Sequence, residues 1–372
     1  MRAPVNRERL VGHFLELVQI DSPSFHEAAV AARLEGELRA LGLHVENDRS
    51  GPDGTGNLIA TLTGERGLPI ALSAHLDTVE PGRGIRPRIT DGVIRSDGTT
   101  ILGADCKAGI AIIVEALRII RERGLPHGHL ELVLTYGEER GHAGAKTLDL
   151  RGRRARLAVV LDAIGPPGTV VAEAPSYESF RAVFRGRAAH AGLEPEKGIS
   201  AIAAAAEAIR RMPLGRIDTE TTANVGLIRG GTARNAVPDV AELEGEARSR
   251  DNAKLDRLVE GLRAAMEGAA RDLGARLDLA MVREYSGYRL TEEDPGVALA
   301  IRAARALGLS SELAAMGGGS DANTFNERGL PSVALGIGMQ APHTLDEHIA
   351  VEDLVRSTEY LVELIREVTE AP

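Results

Sequence analysis

Cysteine is almost absent from this sequence. One residue, Cys106, stands in 372, which excludes an internal disulfide framework and a cysteine-built zinc site. Any metal must be held by His, Asp and Glu. Aromatic residues make up 3% of the chain and Trp is missing, so stacking platforms for bases or sugars are not expected. No apolar run reaches the 18 residues that a membrane span needs. Positive charge is in deficit: 44 Lys and Arg against 54 Asp and Glu give a net charge of −10, which argues against a nucleic-acid or anionic-membrane partner. The short basic string RGRRAR (151–156) lies between two apolar runs and reads as a loop. No internal repeat or low-complexity tract is visible. MRAPVNRERL lacks an apolar stretch followed by a cleavage site, so a cytoplasmic protein is the expectation.

What is present is the alternation of an α/β protein. Residues 7–42 read as a helix interrupted near Asp21-Ser22-Pro23, with Ser24 capping the second segment. NLIATL (57–62) and LPIALSAHL (68–76) read as buried strands. A long helix is expected from Lys107 to Arg123, stopped by Gly124, followed by the strands HLELVLTY and RLAVVLDA. Strands alternating with helices imply a mainly parallel sheet covered by helices. From about Tyr177 the order becomes βαββαβ, a ferredoxin-like split βαβ module. After Tyr285 the α/β style returns and ends in a helix near 351–369. The expected division is therefore 1–175 with 285–372 as one domain and 176–284 as an insert.

Seven acidic and imidazole positions carry candidate chemistry, and each also has an ordinary reading. In SAHLDTVEPG, His75 and Asp77 are two apart and share a strand face. That suits a metal ligand and its orienting carboxylate, or a plain structural hydrogen bond. Asp105 in GADCKAGIA could be an N-cap. Asp162 in VVLDAIG could be a strand-end turn residue, and His343 in MQAPHTLDEHI an exposed loop histidine. Glu138-Glu139 places two repelling carboxylates at the end of an apolar strand. One could ligate an ion while its neighbour acts as a base. Jointly, these donors sit at the C-terminal ends of successive strands, where a parallel sheet gathers residues for ligand binding. Two His and several carboxylates suit Zn²⁺, Mn²⁺ or Co²⁺. A bridging carboxylate would let two ions sit about 3.5–4 Å apart.

The strings SAHLDTVEPG, GADCKAGIA, TYGEERGHAGA, VLDA, GRAAHAG, GGTARNAVPD, EARSRD and GGGSDANTFNERGLPSVALGIGMQAPHTLDEHI occur in one order along nearly the whole chain. They resemble the M20 family of co-catalytic zinc peptidases and amidohydrolases, most closely its peptidase T-like branch. The resemblance implies that His75, Asp105, Glu139, Asp162 and His343 are metal ligands, with Asp105 bridging two divalent ions, Zn²⁺ as the first expectation and Mn²⁺ or Co²⁺ as the alternatives. It implies Glu138 as general base and acid, and Asp77 as the residue that orients His75. It implies that the insert is a lid and dimer interface whose His190 reaches the partner's active site and stabilises the oxyanion. Asn235, Arg248, Gly318, Gly319 and Ser320 match positions that line the substrate pocket. Arg250 competes with Arg248 for that role, and Arg248 could equally be a solvent-face charge. Family structures carry a cis peptide after the residue matched by Asp105. Cys106 follows it where relatives often have Asp, Gly or Asn, and a reactive thiol is the alternative reading of that position.

The implied activity is hydrolysis of an amide bond in a small peptide, with a tripeptide aminopeptidase as the first expectation. An N-acyl amino acid deacylase or a carboxypeptidase would use the same site. A silent binding protein on the same fold would require a lost ligand, and every ligand position is filled. GGGS and GRAAHAG fit neither a P-loop nor a dinucleotide fingerprint. Homodimerisation is expected from the resemblance alone.

Overall fold

The computed structural model describes residues 5–370. The chain divides into two compact units. The first comprises the chain up to Ala172, Leu290–Ala315, and the chain from Ser320 onward; the second comprises Glu173–Arg289 with Met316–Gly319.

The first unit is built on four parallel strands in the spatial order Leu130–Thr135, Ile70–His75, Leu157–Ala163, Ser332–Gly336. Antiparallel strands flank them: Leu58–Leu62 and His44–Asn47 on one side, Thr169–Ala174 on the other. Ile70–His75 and Leu130–Thr135 are buried at every position. That is why these segments read as continuous apolar runs and not as alternation: both faces of a parallel sheet are covered. Leu72, Leu134 and Val159 join the main core with the helices Arg7–Val18, Ala104–Arg123, Pro295–Leu307 and Val351–Glu370. Ile70 lies opposite both Leu130 and Leu157, so the three central strands run in step. Their C-terminal ends therefore form one rim.

The long helix carries a break at its start. Asp105 (φ −82°, ψ 103°) and Cys106 (φ −117°, ψ 28°) are not helical, so the regular helix begins at Lys107. It stops at Gly124, which takes the left-handed conformation at φ 58°. The Asp105–Cys106 peptide is cis. Ser24 does not cap the second helix. That helix, Ala28–Ala40, begins after Glu27 without a side-chain cap, and the Ser24 hydroxyl donates instead to Asp77 Oδ2 at 2.7 Å. A second departure is the helix Asp321–Glu327, hidden behind the GGGS string. Ser320 and Asn323 form its capping box, a pairing that satisfies two backbone donors at once.

The second unit is a sheet in the order Gly215–Arg216, Thr221–Gly230, Val240–Ser249, Ser176–Arg185, Arg276–Tyr285, antiparallel throughout. Helices Ala201–Arg211 and Asn252–Asp272 pack on it, capped by Ser200 and Asp251. Phe180, Phe184, Leu243, Leu255, Leu262 and Met266 fill its core, and Ala204, Ala205 and Ala208 let the shorter helix approach closely.

Gly109 marks where the long helix meets the sheet most tightly. A Cβ there would lie 2.3 Å from the Leu161 carbonyl and 2.8 Å from Cys106 Sγ. The carbonyl belongs to a central strand and cannot swing aside. Alanine is the better helix former by about 1 kcal/mol, but overpacking costs about 1–3 kcal/mol. Gly109→Ala is therefore expected to destabilise the fold, with Tm falling by about 2–8 °C. A neutral or raised Tm in thermal denaturation would contradict this packing.

Candidate metal centre

The site sits on the rim. His75 is the last residue of its strand. Ser73 pairs with Val160, and carrying that register two residues on puts Asp162 level with His75. The strand Leu130–Thr135 leads through Gly137, left-handed at φ 57°, into a 3-10 turn of Glu138–Arg140. A Cβ at Gly137 would lie 2.9 Å from the Phe25 ring. His343 arrives from the opposite direction, in the loop joining Met339–Gln340 to His348–Ala350, two strands of a small antiparallel sheet.

Asp77 ties these pieces together. Its Oδ1 accepts the Glu138 N–H at 2.9 Å and its Oδ2 accepts the Glu139 N–H at 3.2 Å. The same carboxylate lies 3.3 Å from His75 Nδ1, and the Asp77 carbonyl is 2.9 Å from that nitrogen. Protonation at Nδ1 follows, which leaves Nε2 as the ligating atom. Nε2 faces Asp105 Oδ1 at 2.9 Å and Asp162 Oδ1 at 3.6 Å. The other oxygen of Asp105, Oδ2, lies 3.2 Å from His343 Nε2, and His343 Nε2 is 2.8 Å from Glu139 Oε1. Three overlapping groups of possible donors result, His75 with Asp105, Cys106 and Asp162, His75 with Glu138 and Glu139, and Asp105 with Glu139 and His343, each with its atoms within 4.8 Å of one another. The first and third share Asp105, whose Oδ1 faces His75 and whose Oδ2 faces His343.

This donor set fits divalent cations. Asp77, Asp105, Asp162, Glu138 and Glu139 crowd into a largely buried space, and like charges there cannot all persist without compensation. Burial, together with the charge of Asp105, pushes Asp162 up to about 8. Burial and the charges of Asp162, Glu139 and Asp321 lift Glu138 well above the usual carboxylate range. Hydrogen bonds to Asp105 and Glu139 raise His343 to about 10. Against the opposing effect of burial, His343 and His75 hold Asp105 well below its ordinary value. Cations bound by oxygen and imidazole donors would supply that compensation. Cys106 shares the neighbourhood, but its Sγ donates to the Leu161 carbonyl at 2.8 Å and burial pushes the thiol up. It is a buried thiol, not a reactive thiolate.

Several supporting residues escaped sequence reasoning. Glu347 is buried, and its carboxylate accepts the N–H groups of Leu102 (2.7 Å), Gly103 (2.8 Å) and Asp105 (3.0 Å). It ties the segment that carries His343 to the loop that carries Asp105. Glu27 Oε1 accepts the N–H groups of Phe25 and Gly137, each at 2.9 Å. Lys107 is fully buried, donates to the Ile20 carbonyl at 2.6 Å, and burial lowers it to about 8. Asp321 accepts from the Thr135 hydroxyl. No local pattern announces these roles, because each residue has a partner distant in sequence, a main-chain group for Glu347, Glu27 and Lys107 and the Thr135 hydroxyl for Asp321.

The remaining candidates, Ser320 excepted, lie in the second unit. His190 is exposed, and its Nδ1 accepts the N–H groups of Gly192 and Leu193, each at 3.2 Å. Asn235 lies beside it, its carbonyl accepting the Ala191 N–H at 3.0 Å. The Arg248 guanidinium stacks 4.4 Å above the Tyr177 ring and pairs with Glu246 at 3.0 Å. Arg250 pairs with Glu173 at 3.3 Å. Gly319 has no room for a side chain, because a Cβ would sit 2.5 Å from Tyr285, whereas Gly318 has open space. The Ser320 side chain caps its helix.

The sequence pattern of peptidase family M20/M25/M40 matches residues 71–367. An uncharacterised protein of Bacillus subtilis, YqjE, is 44% identical over 98% of this chain and 99% of its own length. The crystal structure of aminopeptidase PepT from Bacillus cereus superposes with a TM-score of 0.87 at 44% identity, covering 98% of this chain and all of that one. A tripeptidase from Staphylococcus aureus superposes with a TM-score of 0.92 at 39% identity, covering 99% of this chain and all of that one. With its rim of shared donors, the chain belongs to peptidase family M20/M25/M40 and is a metal-dependent peptidase.

Proposed function

We propose that the chain is a dinuclear exopeptidase that removes amino-terminal residues from short peptides, tripeptides first among them. The observation that carries this reading is Asp105. Its two oxygens face two different histidines, at 2.9 and 3.2 Å, each histidine backed by a further carboxylate. His75, Asp105 and Asp162 would hold one ion, and His343, Glu139 and Asp105 the other. The aminopeptidase and tripeptidase structures at 44% and 39% identity support the substrate class.

Two divalent ions would supply Lewis acidity and bring the pKa of water from 15.7 to about 7. The chain supplies the rest. Glu138 is not needed as a ligand in either set, and it takes the proton of the attacking water and delivers it to the leaving amine. Asp77 fixes the His75 ring and the main chain of Glu138 and Glu139. Zn²⁺ is the proposed metal, since two imidazoles with carboxylates suit it. The insert at 176–284, which lies within the second unit, is proposed as a lid and homodimer interface. There His190 stabilises the oxyanion in the partner's site: its Nδ1 is occupied as an acceptor, so Nε2–H is left to donate. Asn235, Arg248, Gly318, Gly319 and Ser320 are the proposed substrate contacts. Cytoplasmic residence suits a chain whose single cysteine is a buried thiol.

Elemental analysis of the purified protein is expected to find about two transition-metal ions per chain. Chelation should abolish peptide hydrolysis and metal return should restore it. A panel of di- and tripeptides beside N-acyl amino acids, with products identified at both ends, should show release of the amino-terminal residue. Release only of the carboxy-terminal residue, or cleavage only of N-acyl amino acids, would replace the aminopeptidase reading. Glu138→Gln is expected to lower kcat by about 100-fold or more while leaving metal content unchanged. Near-normal turnover in that variant would remove Glu138 as the base. Glu347→Ala strips three N–H groups of their acceptor and should weaken metal binding by about 10- to 100-fold, read by metal titration. Unchanged affinity would show that the Asp105 loop holds its shape without Glu347.

A further inference from the structure

We propose that His142 is a positioning residue for the Glu138 carboxylate. This inference rests on the assignment of Glu138 as the base. His142 Nε2 lies 3.2 Å from Glu138 Oε1, and its Nδ1 lies 3.0 Å from the Thr324 hydroxyl. His142 and Thr324 are both buried, at 3% and 1% exposure. With Glu138 ionised, as a base requires, the imidazole presents a proton to it, so Nε2 carries the hydrogen and Nδ1 accepts from Thr324. The side chain of Glu138 is thus held at Oε1, which leaves Oε2 to receive the proton of the attacking water.

The backbone supports a purpose for this side chain. Gly137, Gly141 and His142 all adopt left-handed conformations, at φ 57°, 81° and 58°. Glycine fills the first two, as the conformation favours. The third holds a histidine in the same strained region, where a glycine would sit more easily. The His142 N–H also closes the turn on the Glu138 carbonyl at 2.8 Å. Glu138 is therefore held at three points: its N–H by Asp77, its carbonyl by the His142 N–H, and its carboxylate by the His142 ring. Thr324 lies on the helix that Ser320 caps, so the hold on the carboxylate reaches through His142 to that helix.

The test is a matched pair. His142→Gln keeps an N–H donor near the position of Nε2, and His142→Met keeps length and apolar bulk without the donor. Both place an unbranched side chain on the same strained backbone. Both are measured as metal-loaded protein for kcat, KM, metal content and Tm. The Met variant is expected to lose about 10- to 100-fold in kcat, with KM within about twofold and metal content unchanged. The Gln variant should recover most of that loss at the same Tm as the Met variant. Equal activity in the two variants overturns the proposal, as does a loss that follows metal content or Tm. Glu138→Gln separates the two levels. If it is inactive while His142→Met matches the parent, His142 alone is wrong. If it stays active, the base assignment falls and this inference with it.

Discussion

The Asp77 carboxylate is the joint on which the rim depends. Strands that end side by side bring residues near one another, but they do not aim side chains. Asp77 does the aiming, because one buried carboxylate simultaneously accepts from Ser24 and from the Glu138 and Glu139 N–H groups while bearing on His75. Burial alone would push such an acid up, yet these donors hold it below its ordinary value. A charged group satisfied that fully is stiff, since any displacement leaves it without partners in a medium that does not solvate it. The stiffness passes to the imidazole and to the 3-10 turn together, which keeps the distance between ligand and base fixed.

Charge sets the second constraint. The rim gathers more carboxylates than two imidazoles can neutralise, and its hydrogen bonds divide it unevenly. Asp105 stays ionised between two histidines while Asp162 and Glu138 are driven towards their neutral forms. Cations would reverse that drive for the ligands. For Glu138 the same positive charge works against burial and favours the ionised form that a base requires. A base beside a metal pair can thus be buried for dryness and still be ready to take a proton.

Sequence reasoning reached much of this because the pattern and the physics coincide there. The βαββαβ order after Tyr177 was legible from apolar content and turn punctuation, and the strands Thr221–Gly230, Val240–Ser249 and Arg276–Tyr285 follow it. Among the rim acids and histidines, His75, Glu138, Glu139 and Asp162 were legible because they stand at or just past the end of an apolar run, and Asp105 because it stands where the long helix begins. Ser24 misled, since a serine before a helical pattern resembles a cap, whereas a buried carboxylate 53 positions away is the better acceptor for its hydroxyl. The Asp321–Glu327 helix was hidden because its capping box begins inside a glycine-rich string that reads as a turn. Glu347 was invisible for a different reason: it binds main-chain N–H groups 242 to 245 positions upstream, and main chain carries no sequence signal.

That last case generalises to the site as a whole. The donor atoms come from residue types that can be recognised in a string, but their placement is set by N–H groups captured by Asp77, Glu347 and Glu27. Each of these acids fastens a loop that would otherwise leave unpaired donors at the end of a strand or the start of a helix. The requirement to satisfy buried main chain and the requirement to aim ligands are therefore met by the same carboxylates. Replacing any of them with an apolar residue of similar size would fail twice, once by stranding buried donors and once by freeing the side chains that those donors' loops carry. A fold that closes its parallel strands with glycine turns at 137, 141 and 165 leaves those loops little intrinsic preference of their own. The acids beneath them decide where they go, and with them where the chemistry can occur.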